Sequence, residues 1–277
     1  MWLRRASTSL GQVDLLGARY QRQRFDRHSH QRFPLGCIVE GALAFRYRGA
    51  EVTAPAGVVN LANPGEAHTG QAAGPRGWAY RMFYLEPALL AGVAGQMAGR
   101  PRDIPFFQSG VLADPGLAAL LRRLHQGLEQ GSLTALEVDH LLLACLTRLI
   151  RRHADAPPPA RPPAACHPAV ARARELLEDR FRENLSLADL AREAALSPYH
   201  LARLFAAELG LPPHLYLTQV RVRRARGLLE QGLTPAVAAL ETGFSDQSHL
   251  TRRFKALVGV TPGQYRECCA VRPVPGS

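Results

Sequence analysis

The feature that most constrains this chain is a repeat near its C-terminus. Sliding the sequence by 49 positions pairs His200-Leu201 with His249-Leu250, Arg203 with Arg252 and Phe205 with Phe254. The same shift pairs Gly210 with Gly259, Pro213 with Pro262 and Tyr216 with Tyr265, while upstream a shift of 48 pairs Ala191 with Ala239 and Leu196 with Phe244. The second copy therefore has one extra residue in its turn. Each copy reads as a short helix, a tight turn and a longer helix, the layout of a helix-turn-helix.

The longer helices carry the chemistry. Leu201, Phe205 and Leu209 share one face, as do Leu250, Phe254 and Leu257 or Val258, and these faces pack inward. The opposite faces present Tyr199, Ala202, Arg203 and Ala206 in the first copy, and Gln247, Ser248, Thr251, Arg252 and Lys255 in the second. Arginine and glutamine match base edges in the major groove, whereas serine, threonine and lysine suit phosphates and edges alike. One such helix fits a solvated amphipathic helix as well as a DNA reader; two matched copies favour DNA. Between them a helix from Pro213 to about Gln231 spans ~27 Å, a spacer that can hold two readers about one DNA turn, ~34 Å, apart. Arg221, Arg223, Arg224 and Arg226 on it read as a solvated face with some attraction for phosphate.

Upstream, Ala156 to Pro168 (APPPARPPAACHP) has six prolines in thirteen residues, which disfavours helix and ladder alike. The expected division is therefore 1–155, a linker at 156–168, and a helical domain at 169–277, as suits a chain of 277 residues. The net charge of +11 points to an anionic partner, but the excess is spread evenly. There are 19 basic against 12 acidic residues up to Pro168, and 15 against 11 from Ala169 on. Nucleic-acid binding must therefore rest on the motifs.

Pro34–Val39, Ala42–Tyr47, Val58–Leu61 and Trp78–Leu85 read as short strands parted by turns such as Glu40-Gly41 and Arg48-Gly49, a barrel or sandwich pattern. From Pro115 to His153 leucines recur at helical spacing in two helices joined around Gly131-Ser132. Leu141, Leu142, Leu143 and Leu146 exceed what one barrel face needs, so a homodimer through these helices is expected. After the linker, helices are expected at Ala169–Glu183, at Leu187–Ala195 behind a Ser186/Asp189 capping box, and after Ser197-Pro198. No run approaches a membrane span, and residues 1–20 have no apolar core of a signal peptide. Five cysteines without a CxxC pair fit a reduced, cytoplasmic protein.

Residues 186–266, above all GFSDQSHLTRRFKALVGVTPGQYR from Gly243 to Arg266, closely resemble the AraC/XylS-type transcriptional regulators. The resemblance implies two recognition helices in successive major grooves of double-stranded DNA, with RNA polymerase as a further partner. It places Tyr199, His200, Ala202 and Arg203 where the first helix reads bases and Gln247, Ser248 and Arg252 where the second does. Ala202 stands where a polar side chain is commoner. His28-Ser29-His30 and the later Asn63-Pro64-Gly65-Glu66-Ala67-His68 look like a cupin barrel, the ligand-binding domain of many such regulators.

The implied fold is α+β and multidomain: a cupin-like β-barrel with a helical hairpin, then an all-α domain with two helix-turn-helix units. Metal cupins join such histidines to an acidic ligand that is missing here. The expectation is therefore no cofactor, with the histidines bonding a ligand or stapling the barrel turn; a divalent metal held in the barrel is the lesser alternative. Trp78, Tyr80, Met82 and Tyr84 alternate with Ala79, Arg81, Phe83 and Leu85, so one face can line a pocket. The candidate effector contacts are His28, His30, His68, Trp78, Tyr80, Arg81 and Tyr84, with Arg81 pairing an anion if it points inward. A further resemblance to regulators associated with amino-acid export or metabolism implies an amino-acid-like effector. The expected function is a ligand-responsive, non-enzymatic DNA-binding regulator. The alternatives are a constitutive DNA binder with a structural barrel, and a metal-dependent cupin enzyme, which would need the missing carboxylate.

Overall fold

A computed structural model describes residues 2–157, 168–258 and 260–270. The chain divides into two compact units, Met1–Leu133 with Glu137–Pro162, and Thr134–Leu136 with Pro163–Ser277. Most of the proline-rich segment falls at 158–167, outside the described residues.

The described part of the first unit holds nine antiparallel strands: β1 (Trp2–Thr8), β2 (Gly11–Tyr20), β3 (Arg24–His28), β4 (Phe33–Tyr47), β5 (Ala50–Pro55), β6 (Val59–Leu61), β7 (His68–Ala72), β8 (Trp78–Leu85) and β9 (Val111–Leu112). One ladder runs β1-β2-β8-β4-β6-β9; in the other, β7 pairs with β3 and β4, and β5 pairs with β4. The strand β4 belongs to both. Phe33–Gly41 pairs with β8, the register shifts between Ile38 and Glu40, and Ala42–Tyr47 pairs with β5. The expected turn at Glu40-Gly41 is thus a bend within one 15-residue strand. Gly41 takes φ +65° there, and a Cβ would lie 2.0 Å from the Gly77 carbonyl oxygen. At Arg48-Gly49 the turn is real. Both residues have positive φ, 52° and 85°, as a two-residue hairpin loop of type I′ requires.

Three helices complete the unit: α1 (Pro87–Ala98), which strand patterning did not anticipate, α2 (Pro115–Gln130) and α3 (Ala135–His153). Asp114 fixes the last two together. Its carboxylate caps α2 by accepting from the Leu117 N–H (3.0 Å), and it also accepts from Arg148 Nη2 (2.7 Å) and His153 Nε2 (3.0 Å) near the end of α3. The Arg148 guanidinium holds this carboxyl far below the usual carboxylate range, with His153 and the Leu117 amide adding. The leucines nominated for a dimer are corrected here. Leu141, Leu142, Leu143 and Leu146 are all buried within the chain, at 0–4% exposure, so these four do not supply the surface expected for a dimer.

The second unit is helical: α4 (Pro168–Asp179), α5 (Leu187–Ala194), α6 (Pro198–Leu209), α7 (Pro213–Glu230), α8 (Pro235–Glu241), α9 (Gln247–Val258) and α10 (Pro262–Ala270). Side chains cap most of the starts. Ser186 and Asp189 form the capping box of α5, Ser197 caps α6, Thr234 caps α8, and Asp246 accepts from the His249 N–H ahead of α9. The helix α4 stops at Asp179 rather than the expected Glu183. The buried Arg221 of α7 takes the carbonyls that follow, through Nε to Phe181 O and Nη2 to Glu183 O, both 2.7 Å. Phe205 and Phe254, five residues into the repeat's matched segments, are fully buried.

Candidate functional site

Within the second unit, α9 is anchored by His249, Leu250 and Phe254, all buried, and turns Gln247, Ser248, Arg252 and Lys255 to solvent. Val258 packs on the core while Leu257 stays 48% exposed, which settles the choice between them. Thr251 is half-buried, and its hydroxyl donates to the Gln247 carbonyl at 2.8 Å. On α6 the corresponding face is less open: Tyr199, His200, Ala202 and Arg203 are all half-buried. His200 Nδ1 lies 3.1 Å from the hydroxyl of Ser197, and its repeat partner His249 lies 3.2 Å from Ser245 in the same way. These two histidines therefore belong to the helix starts as much as to any outward face. The loop before α9 turns at Gly243, where φ is +77°.

Four arginines around these helices have carboxylate partners. Arg182 meets Glu241 at 3.1 Å, Arg192 meets Asp189 at 3.2 Å, Arg223 meets Glu178 at 2.6 Å, and Arg180 pairs with Glu183. The spacer arginines, expected as a solvated face, thus include one buried carbonyl clamp, Arg221, and one ion-pair member, Arg223.

In the first unit, the inner faces of β2, β3, β4, β7 and β8 enclose a cavity of about 190 Å³. His28, His30, His68, Trp78, Tyr80 and Tyr84 all line it, as the alternation along β8 implies. Arg81 does not. It lies on the opposite face of β8, paired with the Glu129 carboxylate and donating to His125 Nδ1 at 3.0 Å on α2. The sequence reading missed Tyr20 and Phe25, which line the cavity from strands it did not delineate, and Asn60, which lines it from the strand read at Val58–Leu61. No Asp, Glu, Lys or Arg is among the described lining residues. Asn60 Oδ1 and Trp78 Nε1 are buried without a hydrogen-bond partner among the described residues, an arrangement that usually awaits a ligand or water.

The three histidines meet. His28 and His68 are cross-strand partners of β3 and β7, with ring centroids 4.6 Å apart, and His30 stands 4.9 and 5.1 Å from them. Burial, with the other two rings adding, pushes His30 down to about 4, and burial also lowers His68. The phenols of Tyr80 and Tyr84 are raised by the same desolvation.

Residues 10–146 match the AraC-like ligand binding domain, and residues 190–267 match a helix-turn-helix domain. The uncharacterized HTH-type transcriptional regulator YbfI of Bacillus subtilis is 34% identical over 82% of this chain and 82% of its own length. The chain belongs to the AraC/XylS family of transcriptional regulators. The regulator thus combines a ligand-binding domain with a helix-turn-helix DNA-binding domain, and its α+β architecture is the one the motifs implied. The arabinose operon regulatory protein of Escherichia coli is 25% identical over 85% of the chain and 80% of its own length. Among solved structures, an AraC-type regulator from Chromobacterium violaceum is 33% identical over 39% of this chain and 96% of its own, with a TM-score of 0.36. No helix among the described residues is long and apolar enough to cross a membrane.

Proposed function

We propose that the regulator reads a specific operator with α6 and α9 in successive major grooves, and that a small molecule in the barrel cavity controls that binding. The observation that carries the DNA half is the exposed set Gln247, Ser248, Arg252 and Lys255 on a helix locked from behind by Leu250 and Phe254. Gln247 and Arg252 supply edge-reading groups, and Lys255 supplies a phosphate contact. On α6 the half-buried Arg203 and Tyr199 take the first groove over a smaller open surface. The cavity's aromatic walls suit an effector with an apolar or aromatic body, including an amino-acid-like one. In this reading the protein works in the cytoplasm, in concert with RNA polymerase, and performs no chemistry of its own.

The test is a gel-shift selection from a randomised duplex pool. Gln247→Ala and Arg252→Ala should each lose about 1–3 kcal/mol of specific affinity and relax preference at one base position. If both variants select the wild-type sequence with wild-type affinity, the groove assignment is wrong.

A further inference from the structure

We propose that His28, His30 and His68 bind a divalent transition-metal ion, and that this ion holds the carboxylate of the molecule that enters the cavity. The first half stands on the histidine geometry alone; the second rests on the barrel being an effector pocket.

Each ring offers one nitrogen, and the three nitrogens lie within 4.8 Å of one another. Three ligands at the usual zinc–nitrogen distance of about 2.1 Å stand roughly 3.4 Å apart, so small side-chain rotations close the set. The backbone holds the three segments together: the Gly65 N–H donates to the His30 carbonyl at 2.8 Å, which fixes the turn that delivers His68 across from His28. His68 is also oriented. The Glu66 carbonyl can only accept, so His68 Nδ1 is the donor in their 3.0 Å contact, and Nε2 presents its lone pair. A backbone acceptor behind a metal-binding imidazole is the usual way its tautomer and orientation are set.

The donor set selects the ion. Three imidazoles without a carboxylate suit zinc, nickel, cobalt or copper, and not the oxygen-seeking magnesium or calcium. Three protein ligands also leave a position open, and the cluster borders a cavity walled by Tyr20, Trp78, Tyr80 and Tyr84. With neutral ligands the filled site keeps the ion's full double charge in surroundings poor in solvent, which favours an anionic fourth ligand. No described lining residue supplies a competing cation, because Arg81 faces α2. Trp78 Nε1 and Asn60 Oδ1 then offer one donor and one acceptor to the rest of the molecule. The ligand class is a small carboxylate with an aromatic or branched apolar body, α-amino acids among them.

The experiment uses tag-free full-length protein stripped with a chelator. Co(II) is titrated in and followed by visible absorption, and Cu(II)-loaded wild type is examined by pulsed electron paramagnetic resonance. We expect one ion per chain and three coupled imidazoles. His30→Gln and His68→Gln should bind Co(II) roughly tenfold more weakly or worse, while keeping wild-type tryptophan fluorescence and DNA binding. The imidazole count in the wild type decides the matter if a variant does not fold. Benzoate and phenylalanine should shift the Co(II) spectrum and should not bind the stripped protein. Co(II) binding as weak in wild type as in the variants, or fewer than two coupled imidazoles, overturns the metal site. A normal Co(II) site whose spectrum neither compound alters overturns the carboxylate assignment. Loss of effector control over DNA, with metal and carboxylate binding intact, would count against the regulatory reading and not against this site.

Discussion

Arg221 offers the sharpest test of how the second unit is held together. It is buried on the spacer helix α7, donates to two carbonyls of the segment after α4, and lies 6.0 Å from the ring centroid of Phe244. Arg221→Ala removes two charge-assisted hydrogen bonds and leaves two part-buried carbonyls to find water. At roughly 1–1.5 kcal/mol for each, the loss is about 2–3 kcal/mol. A helical unit of this size loses on the order of 4 °C per kcal/mol, so its melting point should fall by roughly 10 °C.

The two units can be followed separately in the intact chain. Its two tryptophans, Trp2 and Trp78, both sit in the strand-rich unit, whereas the larger part of the helical far-UV circular dichroism comes from α4–α10, with a smaller part from α1–α3 that should melt with the fluorescence. The fluorescence transition should stay in place while the dichroism transition moves down. Arg221→Lys, which can satisfy one carbonyl but not both, should lose about half as much. A dichroism melt for Arg221→Ala within roughly 2 °C of wild type would refute the carbonyl-clamp account and return Arg221 to the solvated face the sequence suggested.

The remaining predictions concern the first unit. Because the Asp114 carboxyl is depressed in the folded chain, its stabilisation is complete above the unfolded value near 3.8 and is lost as pH falls below it. The fluorescence-detected stability should therefore drop with acid in the wild type, and Asp114→Asn should be less stable at neutral pH with a flatter acid limb. A titration in which both proteins show the same slope would remove Asp114 from the explanation. Arg81→Ala should lower the stability of the barrel through loss of its Glu129 pair, by up to about 1 kcal/mol at this partly exposed site, yet leave effector binding unchanged. Tyr80→Ala should instead abolish the effector's thermal shift; an Arg81→Ala variant that loses it would show that the cation reaches the cavity after all.

What the sequence made legible follows from which patterns are local. The second unit was readable because its helix starts carry their own caps, Ser186 with Asp189 and then Ser197 and Thr234 each followed by a proline, and because two copies of one pattern check each other. The barrel was harder. A strand that bends and joins two ladders, as β4 does at Gly41, looks in sequence like two strands and a turn. The helix α1 has apolar residues on all sides, so no period marks it. Alternation along β8 sorted Tyr80 from Arg81 correctly but could not say which side was interior, since α2 covers the other face and both are largely buried. The α3 leucines misled for a related reason: an excess of apolar residues signals burial, and burial within the same chain is as good a destination as a partner. Tyr20, Phe25 and Asn60 reach the cavity only through long-range pairing, which no local window contains.

The ion pairs around the DNA-reading helices bear on how far away the regulator can sense a duplex. Arg180, Arg182, Arg192 and Arg223 each have a carboxylate within a few ångströms, so beyond roughly one Debye length each couple acts as a dipole and contributes little. The attraction that remains comes from the unit's excess of 15 basic over 11 acidic residues, and on the reading face of α9 it is carried by the exposed Arg252 and Lys255. The salt dependence of binding therefore counts the cations that meet phosphates rather than the net charge behind a pI near 10.2, and Lys255→Ala should lower the slope by about one.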